Sequence, residues 1–317
     1  GGAGSFGKNF TKFLLDNYKP KKLIIFSRDE FKQFKMAEEM KDGRLRFFIG
    51  DIRDLPRLQR ALNGVDVVIH AAALKQVPIL EYNPFEAVKT NILGTQNVID
   101  AAIDNKVKKV LLISSDKAVQ PINLYGATKL CAEKLFVSAN SYSPHKTLFS
   151  SVRYGNVIGS RGSIVETLVA SEKTTGKVKI TDPDMTRFWL TLDQSFKLVT
   201  FALENMAGGE IFVPKIPSMK LGDLFDAVAP AAKKEVIGLR PGEKMHEILL
   251  TEAESKNALH VDPYFVILPE INSAGNNYKK YHRMGKKLTK DFRYTSDTNT
   301  AWLTKQNFKD KIKVKLI

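Results

Sequence analysis

Five largely apolar runs constrain this chain more than any other feature. They are Leu23–Phe26, Leu45–Ile49, Val65–His70, Val107–Ile113 and Leu148–Val152. Runs of this kind suit strands covered on both faces, as in a parallel sheet. Helical patterns lie between them. Phe6, Phe10, Phe13 and Leu14 share a helical spacing, residues 84–104 read as one long helix, and another pattern starts near Tyr125. This alternation predicts an α/β fold with a doubly wound parallel sheet. Such sheets bind ligands beyond the carboxyl ends of their strands.

The residues at those ends carry chemistry. Gly1, Gly4 and Gly7 give a G-x-x-G-x-x-G spacing just before the first helical pattern. Glycines there permit a tight turn and bring backbone amides against a pyrophosphate at a helix N-terminus. Gly1, Gly4, Ser5, Phe6 and Gly7 are therefore expected to bind a dinucleotide. A loop of this type is fed by a central strand, so the chain is expected to continue upstream of Gly1 with about five apolar residues.

The run at Leu23 ends in Ser27-Arg28-Asp29, with Lys32 one turn on. An acidic residue here accepts from the ribose of NAD, whereas a cation or small hydroxyl suits the 2′-phosphate of NADP. Ser27, Arg28 and Lys32 favour NADP, and Asp29 remains compatible with a ribose hydroxyl. Asp51 either accepts from an adenine amino group, with Ile52 packed on the ring, or caps the helix from Asp54. Ala71 and Ala73 are small enough for a cofactor to lie against the backbone, and Lys75 follows. Asn91 is unfavourable inside a helix and is assigned to tying neighbouring backbone together.

The reaction centre is expected at Leu111–Lys117 and Tyr125–Lys129. Here an apolar run ends in Ser114-Ser115-Asp116-Lys117, and a turn with Pro121 and Asn123 leads to a Y-x-x-x-K pair. Residues four apart share a helix face, so the Tyr125 phenol and the Lys129 ammonium are expected to meet. A tyrosine near pKa 10 is a poor base at neutral pH, but adjacent positive charge favours its phenolate. It can then take a proton from a sugar hydroxyl as hydride leaves the same carbon.

After about residue 160 the pattern becomes shorter and less regular, over 163–172, 193–205, 210–213, 220–229, 233–237 and 243–250. The boundaries expected are 1–160 for the dinucleotide domain and 161–317 mainly for a smaller α/β substrate domain, with some later segments returning to the first. The net charge of +15 is concentrated at the end of the chain, where residues 272–317 hold 12 Lys and Arg against 3 Asp. That pattern favours a solvated basic segment over nucleic-acid binding. No apolar run reaches the ~18 residues of a membrane span. Cys131 is the only cysteine, which suits a reducing cytoplasm. The five histidines show no metal-ligand spacing.

These motifs together resemble the extended short-chain dehydrogenases/reductases, with their Rossmann-type fold. More narrowly, they resemble the inverting UDP-N-acetylglucosamine 4,6-dehydratases that begin pseudaminic acid synthesis. The matching stretches are Gly1–Gly7, Ser27–Lys32, Gly50–Asp54, His70–Pro78, Ser114–Lys117, Asn123–Lys129, Arg153–Gly162, Met185–Trp189, Phe212–Lys220 and Arg240–Glu247. Ala3 stands where the family usually has threonine. The resemblance implies a tightly bound, recycled NADP, a homo-oligomer, and catalysis by Asp116, Lys117, Tyr125 and Lys129. Lys117 would be the base at C5 and Asp116 the acid at O6, while Lys75, Ser115, Asn156, Arg240 and Glu243 would hold UDP-N-acetylglucosamine. The alternatives are a dehydratase that retains C5, a UDP-sugar 4-epimerase, or a non-catalytic NADP-binding regulator that uses its basic tail on nucleic acid.

Overall fold

The computed structural model describes residues 1–143, 146–159, 164–166, 168, 176–270 and 278–316. Much of the segment expected at 163–172 therefore lies outside the described residues. The first five strands are β1 (Leu23–Ser27), β2 (Leu45–Ile49), β3 (Val67–His70), β4 (Lys109–Ile113) and β5 (Leu148–Val152). β1 and β2 pair in parallel as a two-stranded ladder. β3, β4 and β5 pair in parallel in the main sheet.

β4 shows why these runs are apolar throughout. Leu111 packs with Val152, Phe196 and Phe212 on one face. Val110 and Leu112 pack with Val98, Ile99, Phe136 and Phe149 on the other. All three β4 residues are fully buried. Alternate side chains point to opposite faces, so β4 is enclosed by helices on both sides and needs apolar residues at every position.

The remaining strands are β6 (Asn156–Val157), β7 (Lys177–Ile180), β8 (Thr186–Leu190), β9 (Ile211–Pro214), β10 (Ser218–Lys220), β11 (Lys233–Val236), β12 (Ile248–Leu250), β13 (Ala258–Val261), β14 (Tyr264–Ile267), β15 (Lys286–Lys287) and β16 (Tyr294–Thr295). The main sheet has the order β15-β13-β14-β9-β5-β4-β3. β9 continues the parallel set beside β5, whereas β14, β13 and β15 add an antiparallel edge. Late segments thus return to the sheet begun by the first half of the chain.

β10, β8 and β6 form a smaller sheet, and β11 pairs with β7. Trp189, Met219, Leu224, Phe225 and Phe308 share a second core there. Phe308, on the C-terminal helix Lys305–Leu316, meets Trp189 edge-on at 5.1 Å. Lys305 lies 3.3 Å from Asp223 and 2.5 Å from Asp226. Part of the basic C-terminal segment is therefore docked on the smaller region.

The long helix expected at 84–104 is present and carries one widened turn. It comprises α-helical Pro84–Ala87, π-helical Val88–Leu93 and α-helical Gly94–Asp104. Asn91 sits in the widened turn and is 2% exposed. Its Oδ1 accepts from the Leu74 amide at 2.8 Å, and its Nδ2 donates to the Leu74 carbonyl at 2.9 Å and to Thr128 Oγ1 at 3.0 Å. Asn91 ties backbone together as expected. π-turns commonly mark functional sites, and this one joins the 71–75 segment to the helix carrying Tyr125.

Candidate active site

A cleft of about 630 Å³ opens over the carboxyl ends of β1 to β5. Gly1, Gly4, Ser5 and Phe6 line one end of it. Gly4 is the N-cap of the helix Ser5–Asn17, with no side-chain cap and no acidic residue in the first turn. The first amides of a helix lack intrahelical partners, so this end offers N–H donors to an anion. Gly7 does not line the cleft. A Cβ there would lie within 2.8 Å of the Gly1 carbonyl oxygen and closer still to that of Gly2. Its role is to let the helix start against the loop.

Ser27, Arg28, Asp29, Lys32, Asp51 and Ile52 line the same end. Asp29 caps the helix Glu30–Met40 through the Lys32 amide at 2.9 Å and also pairs with the Lys32 ammonium. The Lys32 hydrogen bond holds the Asp29 carboxyl below its usual range. Asp51 accepts from the Arg53 amide at 3.0 Å and side chain at 2.9 Å, and lies 3.6 Å from Arg28. It does not cap the next helix; Asp54 does, accepting from the Arg57 amide at 3.0 Å. Buried Gln33 donates to Ser27 Oγ at 2.9 Å and to the Phe48 carbonyl at 2.9 Å, fixing the Ser27 corner. Ala71, Ala73 and Lys75 line the wall above β3.

The expected reaction centre lies at the end of β4. The Asp116 amide donates to the Tyr154 carbonyl at 3.0 Å, anchoring the strand exit to the chain after β5. Ser115 Oγ accepts from the Lys117 amide at 3.3 Å and donates to Asp116 Oδ1 at 2.7 Å. Asn123 caps the helix Leu124–Tyr142 by accepting from the Gly126 amide at 2.8 Å. A Cβ on Gly126 would fall well inside contact distance of the Lys117 carbonyl oxygen. Glycine there lets the first turn of the Tyr125 helix abut the Asp116–Lys117 turn.

The expected contact between Tyr125 and Lys129 is not the one made. Lys129 Nζ donates to the Ile113 carbonyl at 2.8 Å, because the ammonium is buried against the end of β4. Burial pulls Lys129 down to about 8, with Glu133 acting the other way. Tyr125 instead faces Lys117, Asp116 and the Ser115 hydroxyl. Burial raises its phenol above the ordinary value, and Lys117 and Ser115 partly oppose that rise. Tyr154 also lines the cleft, and burial raises its phenol too.

Lys117 Nζ lies 3.1 Å from Asp116 Oδ1 and 3.3 Å from Glu247 Oε1. Its side chain is 28% exposed to the cleft, against 1% for Asp116 and 4% for Glu247. Burial by itself would lower the Lys117 pKa, but the two carboxylates outweigh it and raise it. The Lys117 ammonium is thus favoured by the two carboxylates beside it. Asp116 Oδ2 and Glu247 Oε2 are both buried without a hydrogen-bond partner.

Ser115, Asn156 and Lys75 line the cleft with the four expected catalytic residues. Arg240 and Glu243 do not. They close a turn on themselves, with the Glu243 amide donating to the Arg240 carbonyl at 3.0 Å and the Arg240 amide 3.3 Å from Glu243 Oε2. That turn is pinned by Asn123 Nδ2 donating to the Gly242 carbonyl at 2.8 Å. Sequence reasoning missed Glu247 and Gln33. Glu247 carries a weak signal, a carboxylate directly before the apolar Ile248–Leu250, whereas nothing in the spacing marks Gln33. No cluster suited to a metal occurs among the described residues. Nor is any helix among them long and apolar enough to cross a membrane.

A parallel sheet with a glycine loop at one end of its cleft, and Ser115, Tyr125 and Lys129 at the other, defines a short-chain dehydrogenase/reductase of the extended kind. Within that class, the chain belongs to the polysaccharide biosynthesis protein family, which it matches over residues 1–269. It is 49% identical over 320 aligned positions to a UDP-N-acetylglucosamine 4,6-dehydratase (inverting) of Campylobacter jejuni, covering 98% of this chain and 95% of that protein. It is 41% identical to a UDP-glucose 4-epimerase of Rickettsia typhi, covering 98% and 93%. The X-ray structure of Pen from Bacillus thuringiensis superposes with a TM-score of 0.90 at 42% identity, covering 99% and 96%.

Proposed function

We propose that this protein is a UDP-N-acetylglucosamine 4,6-dehydratase that inverts C5, with NADP as its recycled cofactor. The observation that carries the reading is the Asp116–Lys117 pair, 3.1 Å apart on the cleft beside Tyr125. An epimerase needs a tyrosine and a redox cofactor; a dehydratase also needs a base for the C5 proton and an acid for the departing O6. The 49% identity to the inverting dehydratase supports the same assignment.

The chain's own groups suit a nicotinamide dinucleotide. The uncapped helix at Gly4 offers donors for the diphosphate. Ser27, Arg28 and Lys32 line the same end of the cleft, and a ribose 2′-phosphate held there would compete with Asp29 for Lys32. The chemistry supplied by such a cofactor, when bound, is a two-electron oxidation at C4 and the return of those electrons at C6.

Tyr125 takes the O4 proton, helped by Lys117 and the Ser115 hydroxyl, both of which favour its phenolate. A 4-ketone acidifies the neighbouring C5–H. Transfer of one proton from the Lys117 ammonium to the Asp116 carboxylate, across 3.1 Å, produces both groups the elimination needs. The neutral amine takes the C5 proton. The carboxylic acid protonates O6, and water leaves. The resulting C5=C6 double bond would be saturated by the hydride returned at C6 and a solvent-derived proton added to C5 on the opposite face, giving UDP-2-acetamido-2,6-dideoxy-β-L-arabino-hexos-4-ulose, the entry to pseudaminic acid synthesis. Lys75, Ser115 and Asn156 are read as holding the sugar nucleotide from the cleft wall. Arg240 and Glu243 would join them only if their turn moved.

A homo-oligomer working in the cytoplasm, with no nucleic acid, belongs to the same reading. Tyr82 and Phe85, at 88% and 74% exposure, fit a face that meets a second copy. The test is incubation with UDP-N-acetylglucosamine and mass spectrometry of the product. Loss of one water with no net absorbance change at 340 nm supports the reading. An isomer of unchanged mass indicates the 4-epimerase to which the Rickettsia similarity points.

A further inference from the structure

Glu247 lies outside the groups assigned so far, yet it completes the surroundings of Lys117. It arrives from the segment just before β12, which is remote in sequence from the Asp116–Lys117 turn. Two contacts hold it in place. The Glu247 amide donates to Ser296 Oγ at 2.8 Å, and the Ser296 amide donates to the Glu247 carbonyl at 2.8 Å. Its carboxylate is then directed at Lys117 Nζ, 3.3 Å away, with Arg187 Nε at 3.8 Å and Lys244 Nζ at 3.9 Å. Oε2 is buried and makes no hydrogen bond. Three cations around one 4%-exposed carboxylate is an arrangement that burial penalises unless the charges are matched.

We infer that Glu247 is the positioning residue for Lys117. It holds the amine against Asp116 at the cleft surface and makes its proton hard to lose before substrate arrives. This deepens the dehydratase reading and rests on it for the role of Lys117. Charged and titratable groups facing Lys117 come from each packed element. Asp116 lies on its own turn, Tyr125 on the following helix, Arg187 on β8, and Lys244 and Glu247 before β12. Arg187 and Lys244 disfavour the Lys117 cation, and Asp116 and Glu247 favour it. Glu247 is the one anion of the set that does not touch the proposed acid–base chemistry itself. Its removal therefore changes the charge on Lys117 without removing a reacting group.

The test compares wild type, Glu247→Gln and Glu247→Asp, each confirmed folded by circular dichroism. Lys117 is labelled with acetic anhydride at a series of pH values, and its peptide is quantified by mass spectrometry. This readout needs no substrate. The expected result is that Glu247→Gln lowers the labelling midpoint of Lys117 by at least one pH unit. Labelling at a fixed pH below the midpoint then rises at least tenfold. Glu247→Asp, which keeps the charge but withdraws it by one methylene, shifts it less in the same direction. The alkaline limb of kcat for UDP-N-acetylglucosamine moves down with Glu247→Gln by a matching amount, because the working pair needs the Lys117 proton, while KM stays within about threefold. An unmoved labelling midpoint in both variants overturns the inference, as does a uniform loss of kcat with no shift of its pH profile. If Glu247→Gln does not fold, Glu247→Asp alone decides by the same midpoint. A wild-type protein that leaves UDP-N-acetylglucosamine untouched defeats the functional reading, and the labelling shift still decides the role of Glu247.

Discussion

Replacing Asn91 by alanine should loosen the cleft from behind. The Asn91 side chain makes three hydrogen bonds, two to the Leu74 backbone and one to Thr128 Oγ1. Each is worth about 1 kcal/mol net, and orphaning a buried partner costs about 1–3 kcal/mol. Leu74 is only partly buried, so water can replace some of what is lost there. Thr128 is 1% exposed, so its loss is not recovered in that way. The sum is roughly 2–4 kcal/mol. For a chain of this length that is a fall in Tm of about 3–6 °C. The same change frees the 71–75 segment that forms one cleft wall, so the cofactor dissociation constant should rise severalfold. Thermal unfolding followed by circular dichroism gives the first quantity, and fluorescence titration with NADPH gives the second. An Asn91→Ala protein that melts within 1 °C of wild type and binds cofactor equally well would refute the view that this clamp joins the wall to the Tyr125 helix.

Three further outcomes follow from the geometry. Gly126→Ala places a methyl against the Lys117 carbonyl oxygen; the Tyr125 helix must shift, and kcat should fall at least tenfold in a steady-state assay while cofactor affinity changes little. Lys129 is held at about 8 by burial against an ordinary 10.5, so the unfolded chain binds more protons between those pH values and stability rises with pH there. Relative to Lys129→Met, the wild type should gain up to roughly 3 kcal/mol across that window in urea unfolding. Arg28→Ala removes a cation from the glycine-loop end of the cleft, so, on the proposed reading, isothermal titration should show NADP affinity falling at least tenfold and NAD affinity changing less.

The sequence carries the sheet and the clustering of Asp116, Lys117, Tyr125 and Lys129 clearly because both depend on local patterns. Val110, Leu111 and Leu112 must be apolar on both faces, and that shows as a continuous run. Asp116, Lys117, Tyr125 and Lys129 lie within fourteen residues, so their proximity follows from one strand exit and one helix start. What failed was non-local. The widened turn inside the helix expected at 84–104 holds Asn91 against Leu74 and Thr128, which no helical spacing reveals. Tyr125 and Lys129 share a helix face, yet the carbonyl of Ile113 captures the lysine. The charge state of Lys117 depends on Glu247, which arrives from another part of the chain. Arg240 sits in a Pro/Gly turn of the kind that suits a phosphate contact, but the turn is closed by its own backbone and by Asn123. Charge placement was less legible than backbone path because each pKa depends on several elements at once.

The central claim is that Lys117 removes the C5 proton of a 4-keto sugar nucleotide in a dehydration. It is tested most directly by running wild type and Lys117→Ala with UDP-N-acetylglucosamine in D₂O and reading the product by NMR and mass spectrometry. The account predicts a wild-type product lacking one water, deuterated at C5 and of inverted configuration there, and no C5 exchange by Lys117→Ala. A product of unchanged composition, or a Lys117→Ala protein that exchanges C5 at the wild-type rate, would contradict it.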